Sequence, residues 1–204
     1  MNKLVKDALV LTVITVISGC ALGAVYEITK APIAKASEDA TQAAYKEVFA
    51  DAASFEDYEE FDADKANSLV AAKGYTDDEI NNVVVACDDA GETLGYVITV
   101  TSHAGYGGDI VFSMGVTKDG VLNGYSITEI SETAGLGMKA KEPAFADQFQ
   151  GKAAGTLEVI KQGEASDTQI EAISGATITS NAVTNGINAG FVYYSSIAGG
   201  TENE

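Results

Sequence analysis

The stretch Ile110-Val-Phe-Ser-Met-Gly-Val-Thr-Lys118-Asp119-Gly120-Val121-Leu-Asn-Gly-Tyr-Ser-Ile-Thr-Glu-Ile130 decides how the chain folds. Its two halves, 110–116 and 121–130, are apolar and rich in β-branched residues, with Asp119-Gly120 between them. That arrangement signals a hairpin, because glycine supplies the left-handed backbone that a tight turn between strands needs. One step upstream, Leu94-Gly-Tyr-Val-Ile-Thr-Val-Thr101 reads as another strand, and Asp88-Asp89-Ala90-Gly91 as the turn joining it to 82–86. Residues 82–130 are therefore expected to form an antiparallel meander.

Helical signals lie on both sides of this meander. Ile33, Ala36, Ala40, Ala44 and Val48 recur along one side of a helix over 33–49. Residues 56–65 are acidic and punctuated by aromatics, and read as loop plus a short helix. Beyond the meander, Pro143 opens a short helix through Phe149 that Gly151 ends. A short strand is expected at 157–160. A final helix is expected over 181–196, carrying Val183, Ile187, Gly190, Phe191 and Tyr194, and Gly199 starts a tail. No repeat and no long linker divides this region, which reads as one α+β domain.

The N-terminus is of a different kind. Residues 8–26 are nineteen positions without a charge. At about 1.5 Å per residue they approach the roughly 30 Å thickness of a bilayer's hydrocarbon core. Lys3 and Lys6 precede this run with Asp7 as the only acid, which favours a cytoplasmic N-terminus and an extracytoplasmic remainder. Lys30 and Lys35 on the far side are accompanied by Glu27, Glu38 and Asp39. The run is long for a cleaved signal and lacks a framed Ala-x-Ala site. Ile17-Ser18-Gly19-Cys20 resembles a lipobox, so a lipoprotein anchored through Cys20 stands as the alternative; the apolar continuation Ala-Leu-Gly-Ala-Val-Tyr favours a retained single-pass helix. Cys20 and Cys87 are the only cysteines, and neither an intrachain disulfide nor a thiolate metal site is expected.

Charge narrows the partners. The net charge is −18, with 12 basic residues, all lysine. Nucleic acid is excluded as a partner, since it requires a basic face. Without arginine, a phosphate must be met by lysine, hydroxyls or backbone N–H groups. Between Asp51 and Asp89 twelve acidic side chains face only Lys65 and Lys73. A solvated acidic surface accounts for them, because the alternating loop pattern and fixed glycine of a calcium site are missing.

Three motifs are left over. Gly105-Tyr106-Gly107-Gly108 leads into a strand and matches neither a dinucleotide fingerprint nor a P-loop. Glu132-Thr133-Ala134-Gly135-Leu136-Gly137 follows the fourth strand, and its glycines would let backbone lie flat against a planar ligand. Glu171-Ala-Ile-Ser174-Gly175-Ala176-Thr177-Ile-Thr179-Ser180 places hydroxyls just past small residues, where they offer helix caps and an anion-binding start. Taken singly, each is also compatible with an ordinary turn, loop or cap. No triad and no paired carboxylates stand out as a catalytic arrangement, and the single histidine, His103, reads as a structural or surface residue.

Taken together and in order, the motifs resemble the FMN-binding domain of the G subunit of the Rnf complex and of its relative, the C subunit of the sodium-pumping NADH:quinone reductase. The landmarks are Gly105 to Gly108, Gly115-Val116 with Asp119-Gly120, Glu132 to Gly137, Phe145-x-x-Gln-Phe149 and Ser174 to Thr177. Two positions depart from the family pattern: Glu171 stands where Asp is more frequent, and Ala134 where Pro is common. The resemblance implies a fold of class α+β, with one N-terminal transmembrane helix followed by one FMN-binding domain built on an antiparallel sheet with flanking helices. It divides the chain into a cytoplasmic N-terminus (1–7), a span (8–26), a helical acidic connecting region (27–80), the FMN-binding domain (81–198) and a tail (199–204).

The resemblance further implies FMN joined through its phosphate to Thr177 by a flavin transferase that recognises Glu171. Ser174, Gly175, Ala176, Glu132, Thr133, Gly135, Leu136 and Gly137 would be the other cofactor contacts, with no metal. The chain would then be a redox subunit without a substrate site of its own. It would relay electrons within a membrane complex that couples ferredoxin and NAD⁺ to ion movement, alongside other membrane and peripheral subunits; the alternative is an extracytoplasmic FMN-carrying lipoprotein, anchored through lipidated Cys20, that delivers electrons to external acceptors.

Overall fold

The computed structural model describes residues 3–163 and 165–198. The expected tail from Gly199 lies outside them. Packing divides the chain after Ala40.

In the first unit the only element is the early part of α1 (Lys3–Val48), with nearly every side chain exposed. Among the described residues, α1 is the one helix long and apolar enough to cross a membrane. Thr12 and Thr15 donate their hydroxyls to the carbonyls of Ala8 and Leu11, each at 2.9 Å. Such back-bonding satisfies a hydroxyl in lipid, where water is absent. The helix over 33–49 that the spacing predicts is not separate from the span. It is the continuation of α1, with Pro32 inside the helix. Proline there deprives the Ile28 carbonyl of its usual donor. The alanine- and lysine-rich residues that follow have enough helix propensity to carry the helix through.

The second unit is organised by a five-stranded sheet. Its strands are β1 (Ser54–Asp57), β2 (Asp78–Cys87), β3 (Thr93–Ser102), β4 (Ile110–Thr117) and β5 (Leu122–Ile130), paired antiparallel in chain order. The Asp119-Gly120 hairpin forms as read: Thr117 N–H donates to Val121 O at 2.8 Å, and Gly120 takes φ +78°. β1 is one strand more than the alternation predicts. Ser54 lies opposite Cys87 at the sheet edge, where Glu56 and Asp57 are exposed and only Phe55 is half-buried. An edge strand with a single inward side chain carries too little periodicity to be read.

Both faces of the sheet are covered. Val84, Ala86 and Val97 on one face meet Tyr45, Val48, Phe49 and Ala52 from the end of α1 and the turn after it. Gly115 and Gly95 permit this approach. A Cβ on Gly115 would stand 2.9 Å from that of Val48, and one on Gly95 2.7 Å from the Phe49 ring. On the other face, Ile80, Ile98, Val100, Phe112 and Met114 pack beneath α2 (Ala63–Ala72) and α4 (Thr177–Ala198). Each such side chain contributes about 1.5–3 kcal/mol on burial, so the two layers fix the sheet between them.

The segment between β5 and α4 positions the site. A 3₁₀ turn (Gly137–Lys141) precedes α3 (Pro143–Ala146), which Pro143 opens as expected, and a second 3₁₀ turn (Asp147–Phe149) takes the place of the helix's expected end. β6 (Glu158–Ile160) then runs parallel to β7 (Gln169–Glu171), which is too brief to show a period. α4 begins at Thr177, four residues before the expected start at Asn181.

Candidate functional site

The early start of α4 has a local cause. The Ala176 N–H donates to Ile173 O at 2.9 Å, closing a turn in which Gly175 takes φ +78°, a value that favours glycine. Ser180 locks this turn to the helix: its Oγ donates to Ala176 O at 2.9 Å and accepts from the Ile173 N–H at 3.0 Å. Ala176 therefore holds the cap position and has no side-chain acceptor to offer. The N–H groups of Thr177, Ile178 and Thr179 come before the first helical bond, which the Ser180 N–H makes to Ala176 O at 3.0 Å, and no turn of the helix satisfies them internally. The hydroxyls read as candidate caps lie inside the first helical turns, and Ser180 is committed to the turn itself.

A single buried carboxylate ties the glycine motifs together. Glu132 is 8% exposed. Its Oε1 accepts from the backbone N–H groups of Tyr106 at 2.7 Å and Gly107 at 3.3 Å. Cβ atoms on Gly105 and Gly107 would collide with the carbonyls of Gly108 and Ser131, so this close loop requires glycine. A Cβ on Gly137 would stand 2.6 Å from both Glu132 Oε2 and Thr179 Oγ1. Both glycine loops and the start of α4 thus converge on Glu132.

Between them lies a cleft of about 610 Å³, lined by Tyr106, Glu132, Thr133, Leu136, Gly137 and residues 175–179. Small-molecule sites span roughly 300–1,000 Å³, so a nucleotide-sized ligand fits. Three cleft residues have an unusual exposure: Tyr106 72%, Leu136 41% and Ile178 52%. Among the described residues these are the only large apolar side chains exposed outside α1. They form an apolar rim beside a helix start with free N–H donors. A planar apolar group bearing an anion matches both halves, and flavin mononucleotide is such a molecule. No lysine lines the cleft, so an anion there would meet backbone N–H groups and hydroxyls, two of the three donor types that the composition leaves.

The expected cofactor residues separate into groups. Thr177, half-buried, lines the cleft with Glu132, Thr133, Leu136, Gly137, Gly175 and Ala176. Gly135 shapes the loop at φ +77° but is not part of the lining. Ser174 and Glu171 face a second groove of about 230 Å³, lined also by Lys139, Glu142, Phe145 and Gln148. His103 lies outside the cleft lining, its Nδ1 2.8 Å from Asp109 Oδ1; that hydrogen bond raises its pKa. Sequence reasoning does not single out Tyr106, Ile178 and Thr179 as cleft residues. Tyr106 is legible only as part of a glycine turn, and the other two only as hydroxyl or apolar letters in a helix start.

Comparison with known proteins agrees with this geometry. The FMN-binding domain family matches residues 105–191, which contain every wall of the cleft. Over 195 residues the chain is 33% identical to the G subunit of the Na⁺-translocating ferredoxin:NAD⁺ oxidoreductase complex of Acetobacterium woodii, covering 95% of this chain and 92% of that protein. It is 34% identical over 190 residues to the G subunit of the proton-translocating ferredoxin:NAD⁺ oxidoreductase complex of Clostridium ljungdahlii, covering 93% and 91%. Among solved structures, the C subunit of the Na⁺-translocating NADH-quinone reductase from Parabacteroides distasonis superposes with a TM-score of 0.50 at 25% identity, over 68% of each chain. The fold and cleft define a membrane-anchored protein with an FMN-binding domain. The chain belongs to the G-subunit family of ion-translocating oxidoreductase complexes, the Rnf type.

Proposed function

We propose that the chain relays electrons within a membrane-bound ion-translocating complex acting between ferredoxin and NAD⁺, through FMN esterified by its phosphate to Thr177 Oγ1. The observation that carries this reading is the placement of Thr177 on the cleft wall, at an uncapped helix start, beside the apolar rim. FMN, once attached, supplies reversible electron acceptance and donation at a fixed position. The chain's own residues bind and orient. First-turn N–H groups of α4 would hold the phosphate, and Tyr106, Leu136 and Ile178 would line the apolar side of the site and limit water there. Glu132 holds the Tyr106 loop in place.

Within α1 we assign 8–26 as the membrane-crossing part, with the N-terminus cytoplasmic and the flavin on the extracytoplasmic side; the lysines at 3 and 6 support that orientation. Residues 27–80 would connect the span to an FMN-binding portion at 81–198. Covalent attachment suits this location, where an exchangeable cofactor would be lost.

The test is the mass of the Thr177 peptide from protein made beside a flavin transferase. One FMN phosphoester on that peptide is expected, and its complete loss in Thr177→Ala with the fold retained. An unmodified wild-type peptide, or flavin that survives denaturation of Thr177→Ala, would sink the assignment.

A further inference from the structure

The second groove carries an inference that rests on the Thr177 reading and deepens it. Gln148 lies in the Phe145-to-Phe149 landmark, between the buried Phe145 and Phe149. Its side-chain amide reaches across to β7 and holds both backbone polar groups of Glu171. Oε1 accepts from the Glu171 N–H at 2.7 Å, and Nε2 donates to the Glu171 carbonyl at 3.2 Å.

The rest of the segment is pinned in series. Residues 169–171 pair with β6. The Ala172 N–H donates to Ile160 O at 2.8 Å, and the Ile173 N–H to Ser180 Oγ at 3.0 Å. The backbone of 169–173 is thus hydrogen-bonded in place, while the side chains of Glu171 and Ser174 stay exposed on the groove. Glu171 stands six residues before Thr177 and Ser174 three, and Thr177 opens on the other side of the same turn.

We infer that Gln148 is a positioning residue for flavin transfer. It presents Glu171 at a set place beside the groove, so the transferase reads a folded surface rather than a flexible peptide. In the step served, Thr177 Oγ1 forms a bond to the flavin-side phosphorus of a flavin adenine dinucleotide. The pyrophosphate P–O bond breaks, AMP leaves, and the hydroxyl proton passes to a base on the transferase. Gln148 touches no reacting atom and acts through Glu171.

The experiment is in vitro flavinylation of the purified full chain, with a purified flavin transferase and flavin adenine dinucleotide, measured as initial rates against chain concentration. Gln148→Met keeps the volume and loses both bonds. It is expected to lower kcat/KM about tenfold, in line with two hydrogen bonds of ordinary strength, with the change carried by KM. Glu171→Gln is expected to fall similarly, and the double variant to fall no further, since residues acting through one another are not additive. Gln148→Glu keeps the acceptor for the Glu171 N–H but sets a charged oxygen against the Glu171 carbonyl, so it is expected to fall at least as far; it decides the matter if Gln148→Met does not fold. Wild-type rates in either variant, or an undiminished Gln148 effect in the Glu171→Gln background, overturn the inference. A wild-type chain that stays unmodified overturns the Thr177 reading, and this inference with it.

Discussion

The two sides of the turn at residues 173–177 are built on opposite plans. On the cleft side, the one carboxylate is buried and committed to backbone N–H groups. What remains there is backbone donors, hydroxyls and an exposed apolar rim. On the groove side, the backbone is paired internally and the charged side chains of Glu142 and Glu171 stay exposed beside Lys139. Burying a free charge against a ligand is costly, so a site for a small planar molecule commits its charges in advance. Exposed charges on a rigid frame suit a protein partner, where they select orientation with little desolvation. On the proposed reading, a single turn of chain would serve a cofactor on one side and a modifying enzyme on the other.

The sharpest break of that comparison is Thr177→Ala, expected to abolish covalent flavin entirely, with Thr177→Ser keeping part of it; denaturing gel fluorescence reads both. Next in size, Gly137→Val should weaken binding of free FMN at least tenfold in protein made without a transferase. Its side chain would press on Glu132 and Thr179 inside the cleft. Ser174→Ala, on the groove side, should leave that affinity within twofold by fluorescence titration. Equal losses in the two variants would mean the sides are not separate.

Glu132→Ala acts on stability and on the loop rather than on attachment. It strands the Tyr106 and Gly107 donors and should cost about 2–4 kcal/mol, taking bonds to a charged group at roughly 1.5–3 kcal/mol each less what water recovers. Faster hydrogen exchange confined to 105–108 would mark the loosened loop.

The smallest is a control away from both sides. Burial raises the pKa of Asp78, whose Oδ1 has no hydrogen-bond partner in the structure. A raised carboxylate contributes stability below its unfolded pKa, near 3.9, and that contribution is lost as pH rises through the folded value. Asp78→Asn should therefore raise the melting temperature at pH 7 and not at pH 3, with FMN attachment unchanged. A lower melting temperature at pH 7 would show that the charged form is compensated.

How legible each part is depends on the range of its cause. The Asp119-Gly120 hairpin and the Ser174–Gly175 turn are readable because a positive φ at one glycine is a local demand. The span is readable because lipid leaves a long uncharged run no other favourable environment. β1 is not, since its pairing with β2 is settled by residues thirty positions away and its own acids point to water. The start of α4 falls earlier than the spacing predicts because Ser180 ties the preceding turn to the helix from within, through bonds to Ile173 and Ala176 that linear spacing does not reveal. Glu132 reads in the sequence as a ring contact, and the structure commits its Oε1 to two backbone donors of a loop twenty-five residues upstream.

By itself, the sequence determined the membrane run, the hairpin meander, the lack of any guanidinium for a phosphate, and the ordered glycine motifs that place the chain in its family. These follow from composition, local dihedral demands and spacing, all of which act over a few residues. Only the tertiary structure decided that Tyr106, Leu136 and Ile178 form one rim, that Glu132 braces the loops, and that Ser174 and Glu171 turn away from Thr177. Those outcomes depend on which distant backbone donors and side chains meet across the folded sheet, and linear order does not specify that.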